Sequence, residues 1–222
     1  MQRSAQRAIM SHASRRAFGY DIPEEAVPPL SGKTDRQIIA EINANLGLSN
    51  SNISSVTHEF LEGLREITPV YSTSDTVEAL AGVYALVEYY HQHTDVTLAL
   101  LTGNNRECAY FKLAPIGLEK YFGFGAFGCD HHDRRMLPPI AIERANTEFK
   151  MHRFTAEHTL VIGDAPGDIA CAKANSIPIL AVATGRYSVQ ELRDLGADAV
   201  LPNFSDKEQT IVTINTLLQF NH

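Results

Sequence analysis

The segment Thr159-Leu160-Val161-Ile162-Gly163-Asp164-Ala165-Pro166-Gly167-Asp168 decides the fold class of this chain. It is a short apolar run that ends in two carboxylates four residues apart. Such a run is typical of a strand buried on both faces, and a helix is expected to follow over residues 168–174. The two carboxylates are therefore predicted to lie at a strand-to-helix turn.

Other apolar runs resemble this one. Residues 96–101 form a run that ends at Thr102-Gly103-Asn104, and further strands are expected over residues 124–127, 177–183 and 199–201. Helical patterns separate these runs: residues 75–91, a helix opened by Pro138 and Pro139, and helices after capping boxes at Ser188 and Ser205. This alternation predicts an α/β domain with a parallel sheet over residues 70–222, and ligands bind beyond the carboxyl ends of such strands.

The residues before position 70 are predicted to form a separate α-helical domain, residues 1–69. Thr34 begins a capping box with Gln37, and a short helix is expected over residues 54–64. The first 16 residues are rich in Arg and Ser and contain no acid, which is also the composition of a transit peptide. An amphipathic helix with Ala5, Ile9 and His12 on one stripe is the favoured alternative.

Composition excludes several classes of protein. The 222 residues are 44% hydrophobic and 20% charged, which is enough apolar material for a packed core. The net charge of −7 argues against a nucleic-acid partner. Three scattered cysteines favour a reducing, cytoplasmic location over a disulfide framework, and no apolar run is long enough to span a membrane.

Polar residues at the predicted strand ends are the candidates for chemistry. Asp164 and Asp168 could converge on Mg²⁺, which prefers carboxylate and phosphate oxygens. Thr102 offers a hydroxyl, and the N–H groups of Gly103 and Asn104 are expected to open a helix N-terminus that binds phosphate. The alternative is structural, with Asp164 a loop acid and Asp168 a helix N-cap.

Taken together and in this order, these motifs resemble the haloacid dehalogenase superfamily, in its phosphoglycolate-phosphatase-like branch. Leu98-Ala99-Leu100-Leu101-Thr102-Gly103-Asn104 resembles the second family motif, Asp133-Arg134-Arg135-Met136-Leu137 the third, and residues 161–169 the fourth. The resemblance covers essentially the whole chain. It implies a Rossmann-like α/β core with an α-helical cap, and a Mg²⁺-dependent phosphatase of small phosphorylated metabolites that forms a phosphoryl-aspartate.

The resemblance also implies individual roles. Thr102, with Gly103 and Asn104, would bind the phosphoryl group, and Arg134 would neutralise its charge; Arg135 is a weaker candidate for that role. Asp164 would bind Mg²⁺ with Asp168 beside it. Gly32, Lys33 and Thr34 would lie on the cap side and help select the substrate, although Lys33 could equally be a solvated charge.

One family motif is absent from this sequence. No Asp-x-Asp occurs anywhere in the chain, and Asp21 follows a predicted helix rather than a buried strand. The resemblance places the nucleophile in such a motif, so this chain is expected to be inactive as given. Three explanations stay open: a misplaced start codon, a truncated remnant, or a non-catalytic phosphate-binding protein. A dehalogenase or phosphonate-cleaving enzyme would need cap residues that the sequence does not identify.

The absent motif has a structural consequence as well. In the resembled fold the missing strand lies between the strands that end at Leu101 and Ile162. Its loss would leave a gap of about 9.6 Å where neighbouring strands normally lie about 4.8 Å apart. The sheet is then expected to close up, to aggregate, or to take a strand from another chain, which would make an oligomer.

Other candidate groups carry weaker signals. His91 and His93 are interpreted as surface residues at a helix end, since no third metal ligand is evident. His131 and His132 are near the predicted site and could contact the substrate, although they are interpreted as loop residues. Cys129 lies in the same loop, and no neighbouring base that would activate its thiol is evident.

Overall fold

The computed structural model describes residues 1–49, 52–93, 95–150 and 153–219. Its helices span Arg3–Phe18 (α1), Asp35–Asn45 (α2), Ile53–Tyr71 (α3), Val83–His91 (α4), Arg106–Leu113 (α5), Leu137–Glu148 (α6), Pro166–Ala174 (α7), Val189–Asp194 (α8) and Lys207–Leu217 (α9). Its strands are Leu100–Leu101 (β1), Gly125–Ala126 (β2), Val161–Gly163 (β3), Ile179–Val182 (β4) and Ala199–Leu201 (β5). This is the mixed α/β fold with parallel strands that the sequence predicts.

The chain divides into two compact units. Unit 1 comprises Met1–Glu78, Thr102–Glu119 and Phe127–Asp133, and unit 2 comprises Ala79–Leu101, Lys120–Ala126 and Arg134–His222. Each unit is built from three segments of the chain, whereas the sequence predicts a single boundary after residue 69 between a cap and a core. That boundary stays a prediction.

Unit 1 is built on helices. Ala5, Ile9 and Ala13 form the buried stripe of α1, and His12 lies half-buried at its margin. The amphipathic helix expected there is present. Gly63 of α3 allows a close approach of the two helices, since a Cβ at that position would come within 2.8 Å of the Cα of Ala13. The buried residues of α1, α2, α3 and α5 form one apolar cluster.

Helix α3 is longer than the sequence predicts. The helix expected over residues 54–64 continues to Tyr71 and contains Pro69. Proline removes one backbone donor and normally ends a helix. Here Thr68 is fully buried and Tyr71 packs on the apolar cluster of unit 1, so tertiary packing outweighs the lost hydrogen bond.

Unit 2 contains all of the described strands, and every described pairing is parallel. Strand β4 lies between β3 and β5, and all four of its residues are buried. Ile179 and Ala181 belong to one apolar cluster, and Leu180 and Val182 belong to another. Because side chains alternate along a strand, these two clusters cover opposite faces of the sheet.

The sheet of unit 2 is interrupted at the position where the family resemblance implies a missing strand. Strand β1 pairs with β2, and β3 pairs with β4, but within the described residues β1 and β3 belong to separate sheets. Both residues of β1 are only partly buried, and Ile162 of β3 is 43% exposed. Strands β1 and β3 therefore each have one edge that pairs with no other strand among the described residues.

Two predicted helix starts are wrong. The helix expected from residue 75 begins at Val83, because Gly82 adopts a left-handed conformation with φ 84° and packs against the backbone of Phe204. The last helix is capped by Asp206 rather than by Ser205, and the Asp206 carboxylate accepts the N–H of Gln209 at 2.9 Å. The capping box at Ser188 is present as predicted.

Candidate functional site

Unit 2 brings Arg134, Asp164 and Asp168 together at the carboxyl end of β3. Asp168 is 5% exposed, and its Oδ1 accepts a hydrogen bond from Nη2 of Arg134 at 2.5 Å. Its Oδ2 accepts the backbone N–H groups of Asp164 at 3.0 Å and Ala165 at 3.1 Å. The close approach needs Gly163, where a Cβ would come within 2.3 Å of the Asp168 carboxyl carbon. Asp168 thus holds the β3–α7 turn and the Arg134 side chain at once.

The side chain of Arg134 is held on several sides and yet keeps an unpaired donor. Its side chain is 14% exposed, and Nη2 also reaches the carbonyl of Leu101 at 3.4 Å. Its own carbonyl accepts a hydrogen bond from Cys171 Sγ at 3.2 Å. Nε is buried and has no hydrogen-bond partner among the described residues. Arg135 is exposed, so Arg134 is the arginine of this pair that faces the carboxylates.

Asp164 is the more accessible of the two carboxylates. It is exposed and lies against Gly185, where a Cβ would come within 2.2 Å of Oδ2. Partial burial, together with the negative charge of Asp168, raises the pKa of the Asp164 carboxyl, while Arg134 acts in the opposite direction. A cation bound here would act in the same direction as Arg134 and favour the ionised carboxylate.

Unit 1 contains Thr102, Gly103 and Asn104. The Thr102 hydroxyl accepts the backbone N–H of Asn104 at 3.2 Å and its side-chain Nδ2 at 2.9 Å. Lys112 donates to Oδ1 of Asn104 at 2.5 Å, a contact that no local sequence pattern indicates. Helix α5 begins at Arg106 with Asn105 as its N-cap. The helix therefore begins later than expected, at Arg106, and the Asn104 N–H is bonded to Thr102. Phosphate binding by Thr102, Gly103 and Asn104 stays a prediction.

The group that does cover the start of α5 is Asp35, which sequence reasoning left without a role. Its Oδ2 accepts the N–H of Asn105 at 2.6 Å, and its own N–H donates to the Gly103 carbonyl at 2.7 Å. The residue is 6% exposed, and burial raises the pKa of its carboxyl to about 6. Lys112 and the Asn105 N–H oppose that shift.

Two of the residues predicted to select substrate are engaged within unit 1. The Thr34 hydroxyl is fully buried, donates to the His132 carbonyl at 2.6 Å and accepts the Gln37 N–H at 3.1 Å. Lys33 forms an ion pair with Glu41. Their roles in substrate binding stay predictions.

With this geometry established, comparison with known proteins identifies the family. The sequence profile of the haloacid dehalogenase-like hydrolases matches residues 4–182 of this chain. The chain belongs to the haloacid dehalogenase-like hydrolase family. A comparison with curated proteins finds no significant match.

Solved structures have the same fold. A hydrolase from Pseudomonas syringae matches with a TM-score of 0.66 and 16% identity, over 95% of this chain and 92% of that one. A β-phosphoglucomutase from Clostridium difficile matches with a TM-score of 0.67 and 15% identity, over 97% and 90%. A protein described as a predicted phosphoglycolate phosphatase from Haemophilus somnus matches with a TM-score of 0.60 and 14% identity, over 92% and 89%.

Haloacid dehalogenase-like hydrolases generally use Mg²⁺. Mg²⁺ is commonly held by one or two carboxylates, with water and phosphate completing its shell. Asp164 fits this requirement, whereas both oxygens of Asp168 already accept hydrogen bonds. Among the described residues, no cluster of three or more His, Cys, Asp or Glu side chains could hold a metal by itself. The described residues therefore offer such an ion one accessible carboxylate, that of Asp164.

The structure shows the surroundings of the other candidate residues. His91 and His93 are exposed, and their rings lie against Tyr121 and Tyr89. The rings of His131 and His132 stack on each other at 4.5 Å. Burial raises the pKa of the Cys129 thiol, which disfavours the nucleophilic thiolate. No helix in the described part of the chain has both the length and the hydrophobicity needed to cross a bilayer.

Proposed function

We propose that this haloacid dehalogenase-like hydrolase carries the metal-binding and phosphate-binding part of a Mg²⁺-dependent phosphomonoesterase, and that it lacks the nucleophile. The observation that supports this proposal is the buried Arg134–Asp168 pair with Asp164 beside it at the carboxyl end of β3. A buried guanidinium with an unpaired N–H, next to an accessible carboxylate, can take up one phosphoryl group together with its cation.

Each residue of this cluster has a distinct role in the proposal. Asp164 would hold Mg²⁺, and the ion would supply charge neutralisation for the transferring phosphoryl group. Arg134 would donate hydrogen bonds to phosphoryl oxygens through an N–H that the protein leaves unpaired. Asp168 would act as a positioning residue, because it orients Arg134 and fixes the backbone of Asp164. Thr102 remains a predicted phosphate contact.

Catalysis needs an attacking group, and this sequence has no evident one. It contains no Asp-x-Asp, and Asp21 is engaged in a two-point ion pair with Arg15 at 2.6 and 2.8 Å. The same observation favours a second candidate function, a non-catalytic phosphate-binding protein or truncated remnant. In either case the ligand would be a small phosphorylated metabolite in the cytoplasm, without a nucleic-acid or membrane partner.

Hydrolysis of an aryl phosphate with Mg²⁺ tests the proposal. The assay compares this chain with a fusion that adds an apolar strand followed by Asp-x-Asp-Gly-Thr ahead of Met1. We expect no hydrolysis by the chain alone and Mg²⁺-dependent hydrolysis by the fusion. A matched fusion with Asn in place of the first added Asp should be inactive, since it lacks the attacking carboxylate.

Three results decide between the candidates. Activity in the fusion that is lost on Asp164→Asn supports the phosphatase proposal, because that substitution removes the carboxylate assigned to the ion. Inactivity of a folded fusion, with Mg²⁺-dependent phosphate binding retained, favours the non-catalytic protein. Hydrolysis by the chain alone would overturn the claim that it lacks a nucleophile.

A further inference from the structure

The hydroxyl of Thr102 has both of its acceptor positions occupied. Its Oγ1 accepts the backbone N–H of Asn104 at 3.2 Å and the side-chain Nδ2 of the same residue at 2.9 Å. A hydroxyl has two acceptor lone pairs and one proton to donate. The group that Thr102 can still offer to a ligand is therefore its proton, which suits a ligand atom that only accepts hydrogen bonds.

The side-chain amide of Asn104 controls whether that proton is available. An Asn side chain presents an oxygen acceptor on one side and an NH2 donor on the other. In this structure the NH2 group faces Thr102, so the hydroxyl proton is not used between the two residues. With the amide turned over, Oδ1 would face Thr102 and accept the hydroxyl proton, and none would be left for a ligand.

Lys112 fixes the orientation of this amide. From the last turn of α5 its Nζ donates to Oδ1 of Asn104 at 2.5 Å. An ammonium group has three donors and no acceptor, so it stabilises only the orientation in which the amide oxygen faces it. The turned amide would place its NH2 group against the ammonium, donor against donor. Because hydrogen bonds from charged donors are stronger than neutral ones, Lys112 favours the orientation that leaves the Thr102 proton free.

The backbone around Asn104 is held by other groups of unit 1. The Asn104 carbonyl accepts the N–H of Gly128 at 2.8 Å, and the Asn105 N–H donates to Oδ2 of Asp35 at 2.6 Å. The positive charge of Lys112 lowers the pKa of the buried Asp35 carboxyl, which places Lys112 beside this carboxylate as well. The backbone position of Asn104 is thus set separately from the orientation of its side-chain amide, and it is the amide that Lys112 contacts.

We propose that Lys112 is a positioning residue for phosphate binding, because by holding Oδ1 of Asn104 it keeps the Thr102 hydroxyl as a donor toward a phosphate oxygen. For its ligand this inference rests on the proposed function, in which a phosphate group is bound together with Mg²⁺. Direct contact between Lys112 and the phosphate is the alternative. That contact would need neither Asn104 nor Thr102, so the two accounts give different results in variants.

Isothermal titration calorimetry of the full chain with inorganic phosphate and Mg²⁺ measures the effect. Lys112→Met should weaken phosphate binding about tenfold, since the Asn104 amide is then free to turn and take the Thr102 proton. Lys207→Met is the matched control, because it removes the same charge from an exposed residue of α9 whose Nζ lies over the ring of Tyr89. We expect this control to keep the wild-type affinity, and circular dichroism checks that both variants are folded.

A double-mutant cycle shows whether Lys112 acts through the hydroxyl. Thr102→Val removes the proton donor and keeps the shape of the side chain. Adding Lys112→Met to Thr102→Val should then change the affinity for phosphate by less than about twofold. A further tenfold loss in the double variant would mean that Lys112 acts on the phosphate without Thr102, and it would overturn the proposal.

Nuclear magnetic resonance measures the amide orientation without any ligand. The nuclear Overhauser effect between the Asn104 side-chain amide protons and the Thr102 side chain should be present in the wild type and weaker in Lys112→Met. The same comparison in the Asp35→Asn background protects the test against unfolding, because Lys112→Met then leaves no buried carboxylate without its cation.

The two measurements fail separately. An unchanged Overhauser effect in Lys112→Met would overturn the positioning role, whether or not phosphate binds. A weakened Overhauser effect, combined with no Mg²⁺-dependent phosphate binding by the wild type, would instead overturn the proposed function and with it the ligand assigned to Thr102.

Discussion

Replacing Asp35 with Asn should make this protein more stable at neutral pH, although Asp35 accepts a backbone hydrogen bond. The carboxylate is buried, and it accepts the Asn105 N–H at 2.6 Å. Burial raises the pKa of the Asp35 carboxyl from 3.8 to about 6, against the opposing effects of Lys112 and the Asn105 N–H. Desolvation of the charge therefore costs more than these two partners return.

The size and the pH range of the effect follow from this shift. A raised folded-state pKa means that the folded protein binds the proton more tightly than the unfolded chain does. The stability contributed by Asp35 is then fully present below about pH 4 and is lost as the pH rises through about 6. One pKa unit corresponds to about 1.4 kcal/mol, so a shift of about two units costs about 3 kcal/mol at pH 7.5. Asn keeps an oxygen acceptor for the Asn105 N–H and carries no charge.

Urea unfolding followed by far-UV circular dichroism between pH 3.5 and pH 8 measures the effect, since the chain has no Trp for fluorescence. The free energies of unfolding of Asp35→Asn and the wild type should agree at low pH and diverge through the range in which Asp35 ionises. Asp75→Asn is the matched control at an exposed position. A constant difference across this range, or a loss of stability in Asp35→Asn at pH 7.5, would refute the reasoning.

Two further predictions concern stability. Asp168→Ala should lower the free energy of unfolding by about 3–5 kcal/mol, because it leaves the buried guanidinium of Arg134 without its carboxylate. Asp168→Asn should lose less in the same urea titration, since it keeps an oxygen for two backbone N–H groups; equal losses would contradict this account. Ser188→Ala should cost about 1 kcal/mol by removing an N-cap, whereas Ser205→Ala should be nearly neutral, because Asp206 is the cap there; thermal unfolding compares the two.

The sequence predicts those elements whose signals are local. The strand at residues 199–201 and the helix after Ser188 are found where they are expected, because alternation, capping residues and apolar runs act over a few neighbouring positions. Helix α4 is an instructive failure. Its apolar spacing extends back to Val77, but the packing of Gly82 against Phe204 starts the helix eight residues later than predicted, at Val83 rather than Asp75.

The residues and contacts of the candidate site also divide into those that local sequence patterns predict and those that they do not. Asp164 and Asp168 could be selected from the strand-to-helix pattern, and Arg134 from the resemblance of residues 133–137 to the third family motif. Which oxygen of Asp168 binds Arg134 could not be selected, because these residues lie 34 positions apart in the chain. The burial of Asp35 and its contact with Asn105, 70 positions away, likewise left no local pattern to find.

By itself, the sequence determined the alternation of strands and helices, the family motifs and the absence of any Asp-x-Asp. Backbone sterics and short-range hydrogen bonds are sufficient for the first of these, and the other two depend only on residue identity. The tertiary structure alone decided that the gap expected between β1 and β3 does not close within the described residues, and that Arg134 contacts the carbonyl at the end of β1. These properties depend on contacts between segments that are distant in the sequence. Such contacts are stabilised by apolar burial and charge pairing, which local sequence patterns do not specify.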